Sequence, residues 1–127
     1  METAVEVQAP AAAAWELLTD TRRWPEWGPS VTAVECGERF IGPGTMGWVR
    51  TVIGLRVPFR ITEFEAGRWW SWEVAGIPAT GHRVEPLGPD RCRVIFEVPF
   101  LAAPYLAVCR LAGERIRRML EEENRNP

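Results

Sequence analysis

His82 is the residue best suited to proton chemistry in this sequence, because it is the only histidine in 127 residues. An imidazole gains and loses its proton near neutral pH, so it can act as a general acid or base. Alternation along a predicted strand over Gly81–Glu85 puts His82 on the same side as Val84. No Asp or Glu flanks it on that side, so we expect a ligand contact or a polar structural anchor and assign no catalytic residue.

Tryptophan supplies a second kind of candidate, since seven indole rings are many for a chain of this length. Trp70, Trp72 and Val74 alternate onto one side of a predicted strand, and Phe96 shares a side with Val94 and Val98 in the last strand. Such rings either fill a core or line a pocket for a flat aromatic ligand. The predicted ligand-binding residues are Trp48, Arg50, Trp70, Trp72, His82, Phe96 and Tyr105.

Trp48 and Arg50 belong to a predicted strand whose two faces the pattern does not distinguish. An inward Arg50 could bind an anion or a carbonyl group, but a buried Arg without a partner costs free energy. Tyr105 is the only tyrosine, and it lies on the apolar stripe of a predicted helix. The alternatives for the inner face of the strand are Met46, Trp48, Arg50 and Val52, or Gly47, Val49, Thr51 and Ile53.

Metal and cofactor sites are not expected. Cys36, Cys92 and Cys109 are far apart, no CxxC pair occurs, and a single His cannot complete a zinc site of the usual kind. The cysteines are more simply small apolar residues in or near the core. The sequence therefore predicts neither a metal nor a cofactor.

Charge and hydropathy exclude two classes of partner. The net charge is −2, and the fifteen basic residues, all Arg, are interspersed with Glu, so no basic stripe marks a nucleic-acid surface. No apolar run reaches the roughly 18 residues of a membrane helix, and the start of the chain lacks the pattern of a signal peptide. We expect a cytoplasmic protein with no integral membrane segment, and a homodimer is left open.

The secondary-structure pattern predicts one α+β domain over residues 1–127. A short strand, Thr3–Val7, precedes a helix from Pro10 and a second short helix or turn around Trp24–Trp27. Short connections rich in Gly and Pro then separate strands that must be antiparallel neighbours. The six predicted strands are Val31–Glu35, Thr45–Ile53, Leu55–Phe64, Trp69–Val74, Gly81–Glu85 and Arg93–Phe100.

A long C-terminal helix is predicted from about Pro104 to about Glu122. Its apolar stripe must be buried, and the concave face of the sheet is the available partner. The predicted architecture is therefore a seven-stranded antiparallel sheet wrapped around this helix, with two short helices after the first strand. The stripe consists of Leu101, Tyr105, Val108, Ala112, Ile116 and Met119.

Three segments resemble a known family. Val7–Asp20 with Trp24–Trp27, then Ile61–Trp72, then Gly81–Leu87 with Arg93–Phe96 are similar to polyketide cyclase/dehydrase-like proteins of the START-like, birch-pollen-allergen-like (SRPBCC) superfamily. The resemblance covers nearly the whole chain and implies a helix-grip fold. It carries over no catalytic residue, because the matched positions are scaffold signatures.

The superfamily includes lipid carriers, hormone receptors, aromatic cyclases and hydrolytic enzymes, so the resemblance leaves the function open. We expect a pocket between sheet and helix that binds a small hydrophobic or aromatic molecule. The alternative is a polyketide aromatase/cyclase or dehydratase-type enzyme, which would need a proton-transfer group beside the pocket. A third hypothesis, an interaction module, would require a large exposed apolar patch.

Overall fold

A curved antiparallel sheet forms one wall of the protein in the computed structural model, which describes residues 1–125 and, within them, all side chains except those of Phe100, Leu101 and Ala103. Its strand order is β1-β7-β6-β5-β4-β3-β2, so each strand from β2 to β6 pairs with the next one along the chain, and β7 also pairs with β1. The strands are β1 Glu2–Val7, β2 Val31–Glu35, β3 Met46–Thr51, β4 Arg56–Glu65, β5 Trp69–Val74, β6 Ile77–Gly88 and β7 Arg91–Glu97.

Tight turns connect the central strands. Between β5 and β6 the two turn residues, Ala75 and Gly76, have φ angles of 53° and 76°. Two successive residues with positive φ form the kind of turn that matches the right-handed twist of a hairpin. This turn lets the two strands that carry Trp72 and His82 pair directly.

The helices lie on the concave side of the sheet. The first, α1, spans Ala11–Thr19, the second, α2, spans Trp24–Trp27, and the last, α3, spans Leu106–Arg125 after a 3-10 segment at Phe100–Tyr105. The C-terminal helix packs mainly on β1 and also on β7. Its buried face consists of Cys109, Ala112, Gly113, Ile116 and Leu120.

The first two helices close one side of the core. The buried rings of Trp24 and Trp27 point their indole N–H groups at the end of α1, where they donate to the carbonyl oxygens of Leu18 and Leu17 at 2.9 and 3.2 Å. A buried indole is stable only when its N–H finds an acceptor. These two bonds therefore fix α2 against α1.

The helix-grip fold predicted from the sequence is confirmed, but some boundaries differ. The strand predicted at Gly81–Glu85 extends over Ile77–Gly88, because the turn uses only Ala75 and Gly76. Leu55, predicted to begin a strand, lies in an exposed hairpin tip before β4 begins. The α-helix begins at Leu106, since the 3-10 segment before it contains Pro104 and a non-helical Ala102. Of the predicted stripe, the side chain of Leu101 lies outside the described residues.

Within residues 1–125, no helix is long and apolar enough to cross a membrane.

Candidate ligand-binding site

Alternation along β3 places Trp48 and Arg50 on the outer face of the sheet. Val49 is buried, whereas Trp48 is 38% exposed and Arg50 is exposed. Gly47 explains why Gly47 and Val49, and not Trp48, face the core. A Cβ on Gly47 would meet the Phe59 ring at 2.8 Å, so only a hydrogen atom fits on the core side at this position. The expectation that Trp48 and Arg50 line the pocket is therefore corrected, because both point away from the helices.

His82 and Trp70 are brought together at the centre of the sheet. They are directly opposite each other on β6 and β5, and both are almost fully buried. Trp24 stacks on Trp70, with ring centroids 5.5 Å apart and planes inclined by 11°. Phe96 meets the His82 ring edge-on at 5.4 Å. Three of the predicted site residues thus form one packed aromatic cluster.

Both ring nitrogens of His82 have partners within the protein. Nδ1 lies 3.3 Å from the carbonyl oxygen of Trp70, and Nε2 lies 3.1 Å from Oγ1 of Thr80. The same Thr80 oxygen accepts a hydrogen bond from Nε1 of Trp72 at 3.0 Å. Because a carbonyl oxygen only accepts, Nδ1 carries the proton, and the Thr80 hydroxyl then donates to Nε2. A closed hydrogen-bond chain runs from Trp72 through Thr80 and His82 to Trp70.

Burial keeps His82 neutral. Desolvation lowers its pKa from the ordinary 6.5 to about 3, although the hydrogen bond to the Trp70 carbonyl acts in the opposite direction. A neutral imidazole whose two nitrogens already have hydrogen-bond partners has neither a free lone pair nor a free N–H group for proton transfer to a ligand. The arrangement fits a structural anchor better than a general base.

An inner cavity of about 40 Å³ lies beside the aromatic cluster. Trp70, His82 and Phe96 line it, together with Cys109 of α3. Burial raises the pKa of the Cys109 thiol to about 11, so this group stays protonated. The volume suffices for a water molecule but not for an aromatic ring. The cluster at the centre of the sheet is therefore mainly filled core.

A larger outer chamber of about 390 Å³ opens next to the inner cavity, at the end of the sheet where β3 and β5 terminate. Trp72 and Tyr105 line both spaces, as do Ser30, Val31 and Thr80. Its volume is in the range of pockets that bind small molecules. The remaining residues lining the outer chamber are Val49, Thr51, Val74, Ile77, Pro78, Ala79, Val98, Pro99 and Ala102.

Tyr105 stands at the neck between the two spaces. Its hydroxyl is hydrogen-bonded to Oγ of Ser30, which links the 3-10 segment to the start of β2. Burial of the phenol raises the pKa of Tyr105, so the group is protonated at neutral pH. Tyr105 was predicted to lie on the helix stripe, and it instead precedes α3 and is 37% exposed.

The walls of both spaces carry no ionised group among the described residues, since no Asp, Glu, Lys or Arg lines either of them. Their polar side-chain groups are the hydroxyls of Ser30, Thr51, Thr80 and Tyr105, the neutral His82 imidazole, the Cys109 thiol and the indole N–H groups. Within residues 1–125, no three His, Cys, Asp or Glu side chains come together as metal ligands would.

Sequence reasoning located two of the residues that line the outer chamber, Trp72 and Tyr105, and missed most of the others. Val49 and Thr51 belong to the second of the two alternatives considered for β3. The close fit of Gly47 against Phe59 decides between the two alternatives. This contact joins two strands, so the alternation of residues along β3 alone cannot reveal it. Val74 was placed on the inner side but was not singled out, because an aliphatic residue at the end of a strand gives no distinctive signal.

Comparison with known proteins gives a family for the chain. The family model described as polyketide cyclase/dehydrase and lipid transport matches residues 1–126. No curated protein matches the chain significantly in sequence.

Solved structures show the same fold at low sequence identity. Protein XoxI from Bacillus cereus is 14% identical, with a TM-score of 0.73 over 94% of each chain. A norcoclaurine synthase of Thalictrum, solved with a transition-state analogue, is 14% identical, with a TM-score of 0.63 over 98% of this chain and 94% of that one. The di-domain aromatase/cyclase StfQ of the steffimycin pathway is 18% identical, with a TM-score of 0.72, and the match covers 98% of this chain and 46% of StfQ.

Proposed function

The chain belongs to the polyketide cyclase/dehydrase and lipid transport family, and we propose that it binds a small, uncharged hydrophobic or aromatic molecule in the outer chamber. The observation that carries this proposal is the chamber itself, about 390 Å³ in volume, with apolar walls and an opening at the end of the sheet. Apolar walls with a few orienting polar groups are the usual form of a small-molecule pocket.

The absence of charged groups from the described walls favours an uncharged ligand. An ionised carboxylate or sulfonate enclosed there would lose its hydration without gaining a counter-ion. His82 is no substitute, because its pKa of about 3 leaves it neutral. The Thr80 hydroxyl, whose proton is donated to Nε2 of His82, can still accept a hydrogen bond, and the Tyr105 hydroxyl can donate or accept one, which suits a carbonyl or hydroxyl group on the ligand.

The residues predicted from the sequence then have two different roles. Trp72 and Tyr105 are proposed to contact the ligand, because they line the outer chamber. Trp70, His82 and Phe96 are proposed to hold the wall behind it. Nε1 of Trp70 is buried and has no acceptor among the described residues.

A matched pair of fluorescent probes tests the proposal. N-phenyl-1-naphthylamine is neutral, and 8-anilino-1-naphthalenesulfonate has the same ring system with a sulfonate added. We expect the neutral probe to bind to the folded protein at least about tenfold more tightly, a difference of about 1.4 kcal/mol. Equal or stronger binding of the sulfonate would contradict an uncharged ligand. Failure of both probes would contradict the chamber as a binding site.

The alternative is an aromatase/cyclase or dehydratase, and StfQ is a protein of this fold that is named as an aromatase/cyclase. Such an enzyme needs a positioned proton-transfer group. Tyr105 is the candidate, since its protonated phenol could donate to a ligand carbonyl. Incubation with 1-(2-hydroxyphenyl)butane-1,3-dione, whose phenol oxygen can add to the distal carbonyl and close a chromone ring with loss of one water, followed by mass spectrometry, separates the two functions. A binding protein returns the diketone unchanged, whereas loss of water that depends on the Tyr105 hydroxyl would favour the enzyme.

A further inference from the structure

Two exposed hairpin tips surround part of the entrance to the outer chamber. They are Val52–Leu55, between β3 and β4, and Ala75–Ile77, between β5 and β6, and together they are called the apolar rim here. Both tips lie at the same end of the sheet, because Val74 at the end of β5 is opposite Phe59 near the start of β4. The exposed fractions of the large rim side chains are 62% for Val52, 77% for Ile53, 58% for Leu55 and 67% for Ile77.

The rim is continuous with the chamber, since Ile77 belongs to both. Across the entrance, the segment Val98–Cys109 contains no charged residue. Single exposed aliphatic residues are ordinary, but several at one end of a molecule mark an interaction surface. Whatever covers the rim must itself be apolar where it meets these four side chains.

An arginine pair lies directly behind the longer tip. Arg50 and Arg56 are opposite each other on β3 and β4, and both are exposed on the outer face. Like charges directly opposite in a sheet repel each other. Arg56 lies over the Trp48 ring at 3.9 Å and also pairs with Glu35. Arg50 donates to the carbonyl oxygen of Gly54 at 3.3 Å and has no carboxylate partner among the described residues.

We propose that the apolar rim docks on the surface of an anionic lipid bilayer. Val52, Ile53 and Leu55 enter the boundary between headgroups and acyl chains. Arg50 is two residues behind Val52, or roughly 7 Å along the strand, and side chains of such interfacial elements are buried about 5–10 Å deep. The guanidinium groups are therefore level with the lipid phosphates when the tip is inserted, and the phosphates offset the repulsion between the two arginines.

Charge complementarity favours this occupant over a second copy of the chain. In a two-fold dimer formed through the rim, each copy would bring its own Arg50 and Arg56 towards those of its partner. The rim offers no carboxylate of its own to meet them, since Val52–Leu55 and Ala75–Ile77 contain none. A lipid surface supplies the apolar layer and the anionic layer in the required order.

Docking would use side chains on the outside of the chamber entrance, so this proposal does not depend on whether the chamber binds a ligand. Flotation with vesicles, using protein without added ligand, tests it. We expect binding to phosphatidylcholine vesicles in which about a third of the lipid is phosphatidylglycerol, and weaker binding when the ionic strength rises from about 0.05 M to about 0.5 M. Binding to phosphatidylcholine alone should be markedly weaker. No binding to the anionic vesicles at low salt would overturn the proposal, as would equal binding to both.

Substitutions with matched controls locate the surface. Ile53→Ser and, independently, Ile77→Ser should each weaken vesicle binding by roughly tenfold, because an exposed side chain no longer enters the lipid. Arg50→Gln should weaken it about fivefold on anionic vesicles only. Leu111→Ser, at an exposed apolar position on α3, and Arg68→Gln, at the opposite end of the sheet, should leave binding unchanged.

Equal losses from the rim variants and from these controls would overturn the assignment of the surface. Sedimentation equilibrium tests the alternative that a second copy of the chain covers the apolar rim. A dimer that Ile53→Ser converts to monomer would show that another copy of the chain, and not lipid, covers the rim. A monomer at all concentrations, together with vesicle binding, supports the proposal.

Discussion

The imidazole of His82 lies flat on the indole of Trp70, with ring centroids 3.8 Å apart and ring planes inclined by 19°. The same histidine donates a hydrogen bond to the Trp70 carbonyl oxygen, so the ring is held through stacking and through a polar contact at once. The other ring nitrogen bonds Thr80 of the same strand, β6, and Thr80 in turn accepts a hydrogen bond from Trp72 of β5. Side chains therefore tie β5 and β6 together at the point where the wall of the chamber begins.

Replacement of His82 is therefore expected to act on stability. His82→Ala should lower the free energy of unfolding by about 2–4 kcal/mol, since it removes the stack, leaves the Thr80 hydroxyl proton without its acceptor and takes away the side-chain donor to the Trp70 carbonyl. Urea denaturation measures the change, and affinity for N-phenyl-1-naphthylamine at low temperature should change little while the variant is folded. A variant of unaltered stability with lost probe affinity would make His82 a ligand contact instead.

The low pKa of His82 predicts loss of stability in mild acid. Its pKa is about 3 in the folded protein and 6.5 by the ordinary value, so between these limits the unfolded chain binds a proton that the folded chain does not. The contribution of neutral His82 to the free energy of unfolding is fully present above the higher pKa. It decreases as the pH falls below that value, by up to about 1.4 kcal/mol per pH unit. Between pH 6 and pH 4 this amounts to roughly 2–3 kcal/mol.

The matched control for this pH effect is His82→Gln, which cannot titrate in that range. Its free energy of unfolding should be lower than that of the original protein at pH 7, but the difference should shrink as the pH approaches 4. Parallel curves for the two proteins would show that the pKa of His82 is the same in the folded and the unfolded state.

Filling the outer chamber should abolish ligand binding without unfolding the protein. Val74→Trp places an indole in a space of about 390 Å³ that is otherwise open. We expect affinity for the neutral probe to fall by at least about tenfold, because the ring takes the volume that the probe needs. Leu111→Trp, on the exposed side of α3, is the control and should bind normally. Undiminished binding by Val74→Trp would place the ligand elsewhere.

The turn between β5 and β6 offers a stabilising change. Ala75 has φ 53°, which an alanine adopts at a cost and an asparagine tolerates. Ala75→Asn should raise the free energy of unfolding by about 0.5–1 kcal/mol. Thermal denaturation can be compared with that of Ala66→Asn, which lies in another turn but lacks a positive φ. A gain in both variants, or in neither, would argue against relief of backbone strain.

The sequence predicted the fold well because its signals are local. Alternation placed Trp70, Trp72, Val74 and Phe96 on inner faces, and the periodicity of the last helix placed Ala112 and Ile116 in the core, where they are buried. The short connections rich in Gly and Pro required antiparallel neighbours. These patterns depend only on residues close together in the chain.

The candidate site was harder to predict because its boundaries depend on contacts between distant residues. Whether Trp48 or Val49 faces inwards is decided by the fit of Gly47 against Phe59 on the next strand. The separation of a filled inner region at His82 from an open chamber at Val74 depends on how far Trp24 and Trp27 reach into the core. Neither follows from the alternation of a single strand.

The pairing of β1 with β7 has a consequence for how the protein acquires its structure. Glu2 is opposite Glu97 and Val7 is opposite Cys92, so the first strand is joined to the last. The helix α3, which packs on β1, follows later still. Contacts so distant in sequence form slowly, because the loop must close before the contact is gained. During synthesis the successive hairpins from β2 to β7 can pair as they emerge, whereas β1 must wait. In that interval the concave apolar face and one edge of β7 are uncovered, and the nascent chain is most exposed to association with the wrong partner.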